Sequence, residues 1–281
     1  MREVHVDRVR ETVKQLCQEA TCLLPEDVVG ALQTARQREE SPLAVKVLDQ
    51  ILLNAELAGK EMLPLCQDTG TTVIFLEIGQ DVHIAGGNLK EALAEGVGQG
   101  YDEGFLRASI VDKPFSARTN TRNNTPPVVH TEIVPGDGLR IQVMPKGGGC
   151  ENMSRFTIML PSAGKKGIEE FVLQTVEESG GNPCPPIIVG LGVGGSAEYA
   201  MYLAKKALTR KVGEPNPDAE EAEFEADLLE KVNALGLGPQ AVGGRATGLA
   251  VHMMTYPTHV ASLPVAVNLQ CHSARLKEAV L

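Results

Sequence analysis

The sequence predicts a mixed α/β fold, with helices around mixed β-sheets and a helical N-terminal third. Three observations carry this. Apolar residues in the first third recur at three- and four-residue spacing. Short β-branched runs bounded by Gly, Pro and Asn follow them. Glycine, at 29 of 281 residues, exceeds the roughly 7% norm, so backbone-shaped turns connect the elements. The span 1–281 reads as one domain with room for two lobes, because it exceeds the ~100–200 residues of a usual domain.

The elements follow in order. Val6, Val9, Val13 and Leu16 mark one face of a first helix, with Cys17 and Cys22 on or just after it. Ser41-Pro42 suits the N-cap and first turn of a second helix carrying Leu48, Ile51, Leu52 and Ala55. Thr71 to Ile78 is a β-branched strand, and Asn88 caps a helix through Leu93 and Val97 toward Gly104. Val128–Val134 and Leu139–Met144 read as strands around Pro135-Gly-Asp-Gly138, a hairpin signal. Phe156–Leu160 predicts a strand and Ile168–Val176 a helix. Pro186–Val189 predicts a short buried strand, leading through Gly190–Gly195 into a helix from Ser196 to about Lys211. Asp218–Glu230 is an acidic helix face with Phe224, Leu228 and Leu229 inside. Pro264–Leu269 is the last strand and delivers Cys271.

Composition excludes several functions. The formal charge of −10 and the absence of Trp disfavour a nucleic-acid binder, which needs a basic stripe and stacking aromatics. The N-terminal residues carry charges where a signal peptide has an apolar core, so a cytoplasmic protein is expected. Ala246–Ala274 lacks Lys, Arg, Asp and Glu, yet it holds Pro257, Pro264, three histidines, Asn268 and Gln270. It reads as buried soluble core rather than a membrane span. Six cysteines with no CxxC pair argue for reduced thiols rather than a disulfide scaffold or zinc ribbon.

Two local patterns could carry chemistry. Gly190-Leu-Gly192-Val-Gly-Gly195 fits G-x-G-x-x-G between a predicted strand and helix, the context of a dinucleotide-binding oxidoreductase. It lacks a strand-ending acid about 20 residues on, and a plain glycine-rich turn explains it as well. Cys66, Cys184 and Cys271 each lie in a polar or Pro/Gly-rich turn; buried structural thiols are the simpler reading of their spacing alone.

Six ordered motifs add what spacing cannot. They are Leu65-Cys-Gln-Asp-Thr-Gly70, Asn123-Asn-Thr-Pro-Pro through Val134-Pro-Gly-Asp137, and Lys146-Gly-Gly-Gly-Cys-Glu-Asn152. The others are Cys184-Pro-Pro through Gly194-Gly195, Gly236-Leu-Gly-Pro239, and Leu263-Pro-Val-Ala through Gln270-Cys-His-Ser-Ala-Arg275. Through them, from about residue 40 to 275, the chain resembles the class I (iron–sulfur) fumarate hydratases and L-tartrate dehydratases, in their alpha subunit or N-terminal domain. The resemblance implies a [4Fe–4S] cluster on Cys66, Cys184 and Cys271, with one iron open to substrate as a Lewis acid. It implies Asp68 as acid/base, Gln67 and Arg107 as substrate-binding residues, Gly148 as a backbone contact to substrate, and His259 as an active-site histidine. His130 and His272 lie in the motifs without a catalytic part.

The implied reaction is the reversible hydration of fumarate to malate, with L-tartrate dehydration as the close alternative. The implied partners are a beta subunit supplying further cations and the C–H base, a small dicarboxylate, and further copies in a higher oligomer. No nucleic acid or membrane is expected. Two departures stand out: Cys150, read as a non-ligand, and the altered segment Gly243–Thr247. A non-catalytic protein that kept the fold is a third reading, in which the three cysteines would be dispensable.

Overall fold

The computed structural model describes residues 2–281. In chain order the elements begin with β1 (Arg2–His5), α1 (Val6–Cys22), α2 (Glu26–Arg38), α3 (Pro42–Glu61), β2 (Thr71–Gly79), β3 (Val82–Ala85) and α4 (Leu89–Glu103). Next come β4 (Val128–Val134), β5 (Leu139–Lys146), α5 (Gly148–Glu151), β6 (Arg155–Met159) and α6 (Gly164–Ser179). The rest are β7 (Ile187–Gly194), α7 (Ala197–Ala207), α8 (Ala219–Ala234), β8 (Gly248–Tyr256), β9 (Leu263–Gln270) and β10 (Lys277–Val280). The mixed α/β expectation holds. No helix among the described residues is long and apolar enough to cross a membrane.

The chain divides into two compact units. The first comprises Met1–Pro25, Ala55–Gly148 and Arg275–Leu281; the second comprises Glu26–Asn54 and Gly149–Ala274.

In the first unit a four-stranded sheet has the order β10-β5-β2-β4. The predicted apolar face of α1, Val9, Val13, Leu16 and Cys17, packs with Leu93, Val97 and Tyr101 of α4 on Ile74, Leu76, Ile141 and Val143 of the sheet. Burying each such aliphatic side chain contributes about 1.5–3 kcal/mol. Asn88 caps α4 as its sequence position suggests, its side chain accepting from Lys90 and Glu91 N–H.

The hairpin expectation fails here. β4 runs parallel to β2 and β5 antiparallel to it, so β2 lies between them. The Pro135–Gly138 connection crosses the end of β2 instead of joining neighbours. It is bonded there by Gly79 N–H to Gly138 O (2.9 Å), Gln80 N–H to Val134 O (2.8 Å) and Asp81 N–H to Gly136 O (3.0 Å). A third strand captured the hydrogen bonds that the turn residues seemed to assign to each other.

The second unit holds the sheet β6-β9-β7-β8. β7 is central, parallel to β8 and antiparallel to β9. The strand is longer than predicted, because it continues through Gly190 and Gly192 to Gly194. Its period of two explains the glycines. Ile187, Val189 and Leu191 face a core with Val172 of α6 and Leu228 of α8. Gly190 and Gly192 point to the other face, where added Cβ atoms would meet Ala204 O and Ala200 O of α7, each at 2.1 Å. These glycines let a helix lie on the strand; the phosphate-cradling turn that a dinucleotide site needs is not built from them. The charge-free Ala246–Ala274 segment supplies β8 and β9, strands on either side of β7.

Candidate active site

In the first unit the Leu65–Gly70 loop enters β2. Leu65 is buried and its N–H donates to Thr21 O (3.0 Å), anchoring the loop to the end of α1. Cys66 Sγ, half-buried, accepts from Asp68 N–H at 3.4 Å. The Asp68 carboxylate is held at both oxygens by backbone: Oδ1 accepts from Gly70 N–H (3.0 Å) and Oδ2 from Gly148 N–H (2.7 Å). The first bond is the Asx turn that Asp-Thr-Gly encodes; the second is possible because α5 begins where the triple glycine lets the chain approach.

Beneath this loop lies a buried polar layer. Arg275 is only 1% exposed, and its Nη1 donates to Asp68 O at 2.6 Å. A Cβ at Gly147 would stand 3.2 Å from Arg275 Nη2 and 3.3 Å from Asp68 Oδ2, so only glycine leaves both groups in place. Tyr101 donates its hydroxyl to Thr69 O (2.8 Å), and burial pushes its phenol pKa upward. Asn124, wholly buried, donates from Nδ2 to Gly70 O (3.0 Å) and accepts at Oδ1 from Ser109 N–H (2.8 Å). Thr69 Oγ1 donates to Arg107 O. The segment that carries Arg107 is thus tied to the Asp68 loop twice. The Arg107 side chain is exposed, with no partner among the described residues, and Gln67 is exposed beside Cys66.

The second unit brings Cys184 and Cys271 to one end of its sheet. Ile188 pairs with Gln270, so Cys184 just precedes β7 where Cys271 just follows β9. His272 Nδ1 lies 3.0 Å from Cys184 O and 3.2 Å from Gln240 Nε2; the tautomer decides which nitrogen donates. Gln240 also donates from its backbone N–H to Pro185 O at 2.7 Å. Cys184 takes a left-handed φ of 54°, which His272 and Gln240 brace. The altered segment Gly243–Thr247 has its own anchor. Glu39 accepts from Arg245 N–H (2.7 Å) and Ala246 N–H (3.2 Å). Burial alone would raise the Glu39 pKa, but its backbone donors outweigh this and hold it below the usual carboxylate range.

His259 is not brought to these cysteines. It lies on the exposed β8–β9 connection, where Thr258 Oγ1 donates to Gly195 O at 2.8 Å. That is the Gly194 end of the sheet, and the cysteines emerge from the opposite end, roughly 20 Å along the strands. The sequence suggested an apolar core setting for this histidine; in fact its Nδ1 accepts from Ala261 N–H in an open turn.

A family profile described as Fumarate hydratase (Fumerase) matches residues 10–280. The chain belongs to this family. The family is one of hydro-lyases, enzymes that add water to a double bond or remove it. Among relatives, a protein of Methanocaldococcus jannaschii, provisionally named L(+)-tartrate dehydratase subunit alpha, is 40% identical over 274 residues, covering 95% of each chain. The L(+)-tartrate dehydratase subunit alpha of Escherichia coli UTI89 is 32% identical, and that of strain K12 31%, each match covering 96% of this chain and 89% of the relative.

Within this family the donor chemistry of the three chosen thiols fits an iron–sulfur cluster. Cys66, Cys184 and Cys271 are half-buried thiols on loops and form no disulfide, whereas Cys17, Cys22 and Cys150 are buried. Burial pushes the Cys17 thiol up to about 12 and the Cys22 thiol upward, which withholds their thiolates. Cys150 is buried, with its Sγ donating to Pro183 O at 3.7 Å. Among the described residues no three or more His, Cys, Asp or Glu side chains gather as for a single metal ion. A cubane cluster instead takes each thiolate on a separate iron. Sequence reasoning missed Arg275 and Asn124, although both lie inside quoted motifs. Their signal was a polar residue inside a motif, but burial of an arginine is not visible in sequence.

Proposed function

We propose that this chain is the alpha subunit of an iron–sulfur hydro-lyase acting on a 2-hydroxy dicarboxylate, with L(+)-tartrate preferred over the fumarate–malate pair. The observation that carries the reading is Asp68, fixed at both carboxylate oxygens by backbone N–H groups on the loop that presents Cys66. The tartrate preference is supported by the names of the relatives; the family's name supports fumarate as the second reading.

Cys66, Cys184 and Cys271 would hold a [4Fe–4S] cluster, which when bound supplies a Lewis-acidic iron for the departing hydroxyl. Asp68 exchanges the proton at the substrate hydroxyl oxygen, and its fixed orientation keeps the reorganisation cost low. Arg107, with its free guanidinium, grips a substrate carboxylate through a bidentate pair. Gln67 offers its exposed amide to the same substrate. Gly148 offers substrate a backbone contact that no Cβ blocks, and its N–H, donated to Asp68 Oδ2, also orients the acid/base. The C–H base is proposed to come from a second, beta-type subunit; that the relatives are named as alpha subunits supports such a partner. Six thiols outside any disulfide suit a cytoplasmic setting.

The test is anaerobic co-purification with the second subunit, followed by assays on L-tartrate, malate and fumarate. Turnover of L-tartrate above the other two, with about four iron and four sulfide per chain, is expected. Metal-free, inactive complex after reconstitution would overturn the reading; preference for malate would move the substrate to the second reading. The isolated chain is expected to show little or no turnover.

A further inference from the structure

Two phenylalanines of the first unit, Phe105 and Phe115, are each 94% exposed, more than any other large apolar side chain described. Neither stands on a loose segment. Residues 110–121 form a finger closed by Asp112 N–H to Thr119 O (2.7 Å), Thr121 N–H to Ile110 O (2.9 Å) and a bridge between Val111 and Asn120. Its tip is turned by Ser116 N–H to Lys113 O (3.0 Å), and Arg118 Nη1 donates to Pro114 O across it. Phe115 is the apex. Phe105, at the other end of the segment, holds a φ of 52°, a left-handed backbone that is costly for a bulky side chain. Ordered backbone that places two aromatic rings in water is the pattern of anchors awaiting a socket.

The root of the finger says what occupies it. Asn120 Nδ2 donates to Ala108 O (2.9 Å), Asn124 joins Ser109 to Gly70, and Thr69 joins Arg107 to the same loop. The finger is therefore continuous, through hydrogen bonds, with the loop that carries Cys66 and Asp68. Within an acidic chain of net charge −10, the segment 105–127 carries four basic residues, Arg107, Lys113, Arg118 and Arg122, against the single acid Asp112.

We propose that Phe115 and Phe105 are the docking anchors for the second subunit, received in an apolar socket rimmed by carboxylates that pair with Lys113, Arg118 and Arg122. This rests on the heteromeric reading above and adds the surface that makes it. Docking at the finger bears on Arg107 and Asp68 through Asn124 and Thr69, so assembly and site geometry are coupled.

The experiment measures affinity of the cognate second subunit for wild-type chain, Phe115→Ser, Phe105→Asn and the double variant, with the mass of each isolated chain. Asn is chosen at 105 because it tolerates a left-handed φ. Each single change is expected to weaken the heteromer on the order of thirty-fold, as loss of an aromatic anchor does, with the melting temperature of the isolated chain unchanged. Equal affinity of the double variant and wild type would overturn the inference while leaving the heteromer standing. A self-associated isolated chain that the substitutions dissociate, with heteromer affinity unchanged, would also overturn it and assign the rings to a second copy. Failure of wild-type chain to bind the second subunit at all would overturn the heteromeric reading itself, and this inference with it.

Discussion

Gly148 donates its backbone N–H to Asp68 Oδ2 at 2.7 Å, across 80 residues of sequence, and so closes a ring of donors around one carboxylate. The geometry is set by backbone, and the charge by one side chain. Asp68→Asn preserves the size of the side chain and removes the proton acceptor. Turnover by the assembled enzyme should fall by about 10²–10⁴, with the circular dichroism and melting temperature of the chain held. Retention of more than a tenth of wild-type turnover would remove Asp68 from the acid/base role.

Asn124 separates positioning from chemistry. Its φ of 58° is left-handed, so Asn124→Gly keeps the backbone but loses both side-chain bonds. Asn124→Asp keeps the acceptor for Ser109 N–H and loses the donor to Gly70 O. Both variants should lower kcat on the order of ten-fold or more. Gly is expected to raise KM further, because it also frees the Arg107 segment. Steady-state kinetics on the assembled enzyme check this, and equal KM in both variants would contradict it.

Thiol exposure predicts a chemical pattern. In metal-free chain, iodoacetamide should label Cys66, Cys184 and Cys271 within minutes, while Cys17, Cys22 and Cys150 react only on unfolding. Peptide mapping by mass spectrometry reads each site. Bound cluster should protect all three reactive thiols together, and replacement of any one by Ser should abolish the protection.

Gly190→Ala and Gly192→Ala each push a methyl into a carbonyl of α7. Each should destabilise by about 1–3 kcal/mol or more, read as a lower urea midpoint. NAD and FAD should bind neither wild type nor variants. Nucleotide binding by wild type at micromolar concentration would revive the dinucleotide reading.

His252 is 3% exposed on β8, and burial, reinforced by the Arg210 charge, pushes its pKa down to about 4. The unfolded chain has an ordinary histidine near 6.5, so it binds more protons than the fold between pH 6.5 and about 4. Stability contributed by the neutral imidazole is fully present above pH 6.5 and falls as pH drops through this window, by about 3 kcal/mol in all. Denaturant titrations at pH 7.5 and 5.0 should show the loss, and His252→Gln should flatten it.

Much of this architecture is legible locally. The α1 face, the Asn88 cap and the β-branched run of β2 each announce themselves by period or residue chemistry within one element. What escaped was decided at a distance. β1, β3 and β10 are four-residue strands with no pattern of their own, made strands by their partners. α2 buries only Val28 and Leu32, too little for a readable apolar face. Pro-Gly-Asp-Gly encodes a turn but not which strands flank it. In the site, Asp68 and its Asx turn could be read from Asp-Thr-Gly. Arg275 could not, because a charged residue reads as surface until its burial is seen. His259 was misplaced for the converse reason: uncharged neighbours suggested a core, and the connection between β8 and β9 lies in the open.

The carbonyl of Asp68 leans on Arg275, and the first unit is closed by β10 from the same late segment. During synthesis, at about 5–20 residues per second, the Cys66–Asp68 loop leaves the ribosome many seconds before Arg275 does. A nascent chain paused between Gly149 and Ala274 has thus made the Asp68 loop and its Gly148 donor, but not the arginine that holds the Asp68 carbonyl. The order of translation delays competence until the sheet edge arrives, so a ribosome-stalled fragment would carry the motif without the means to use it.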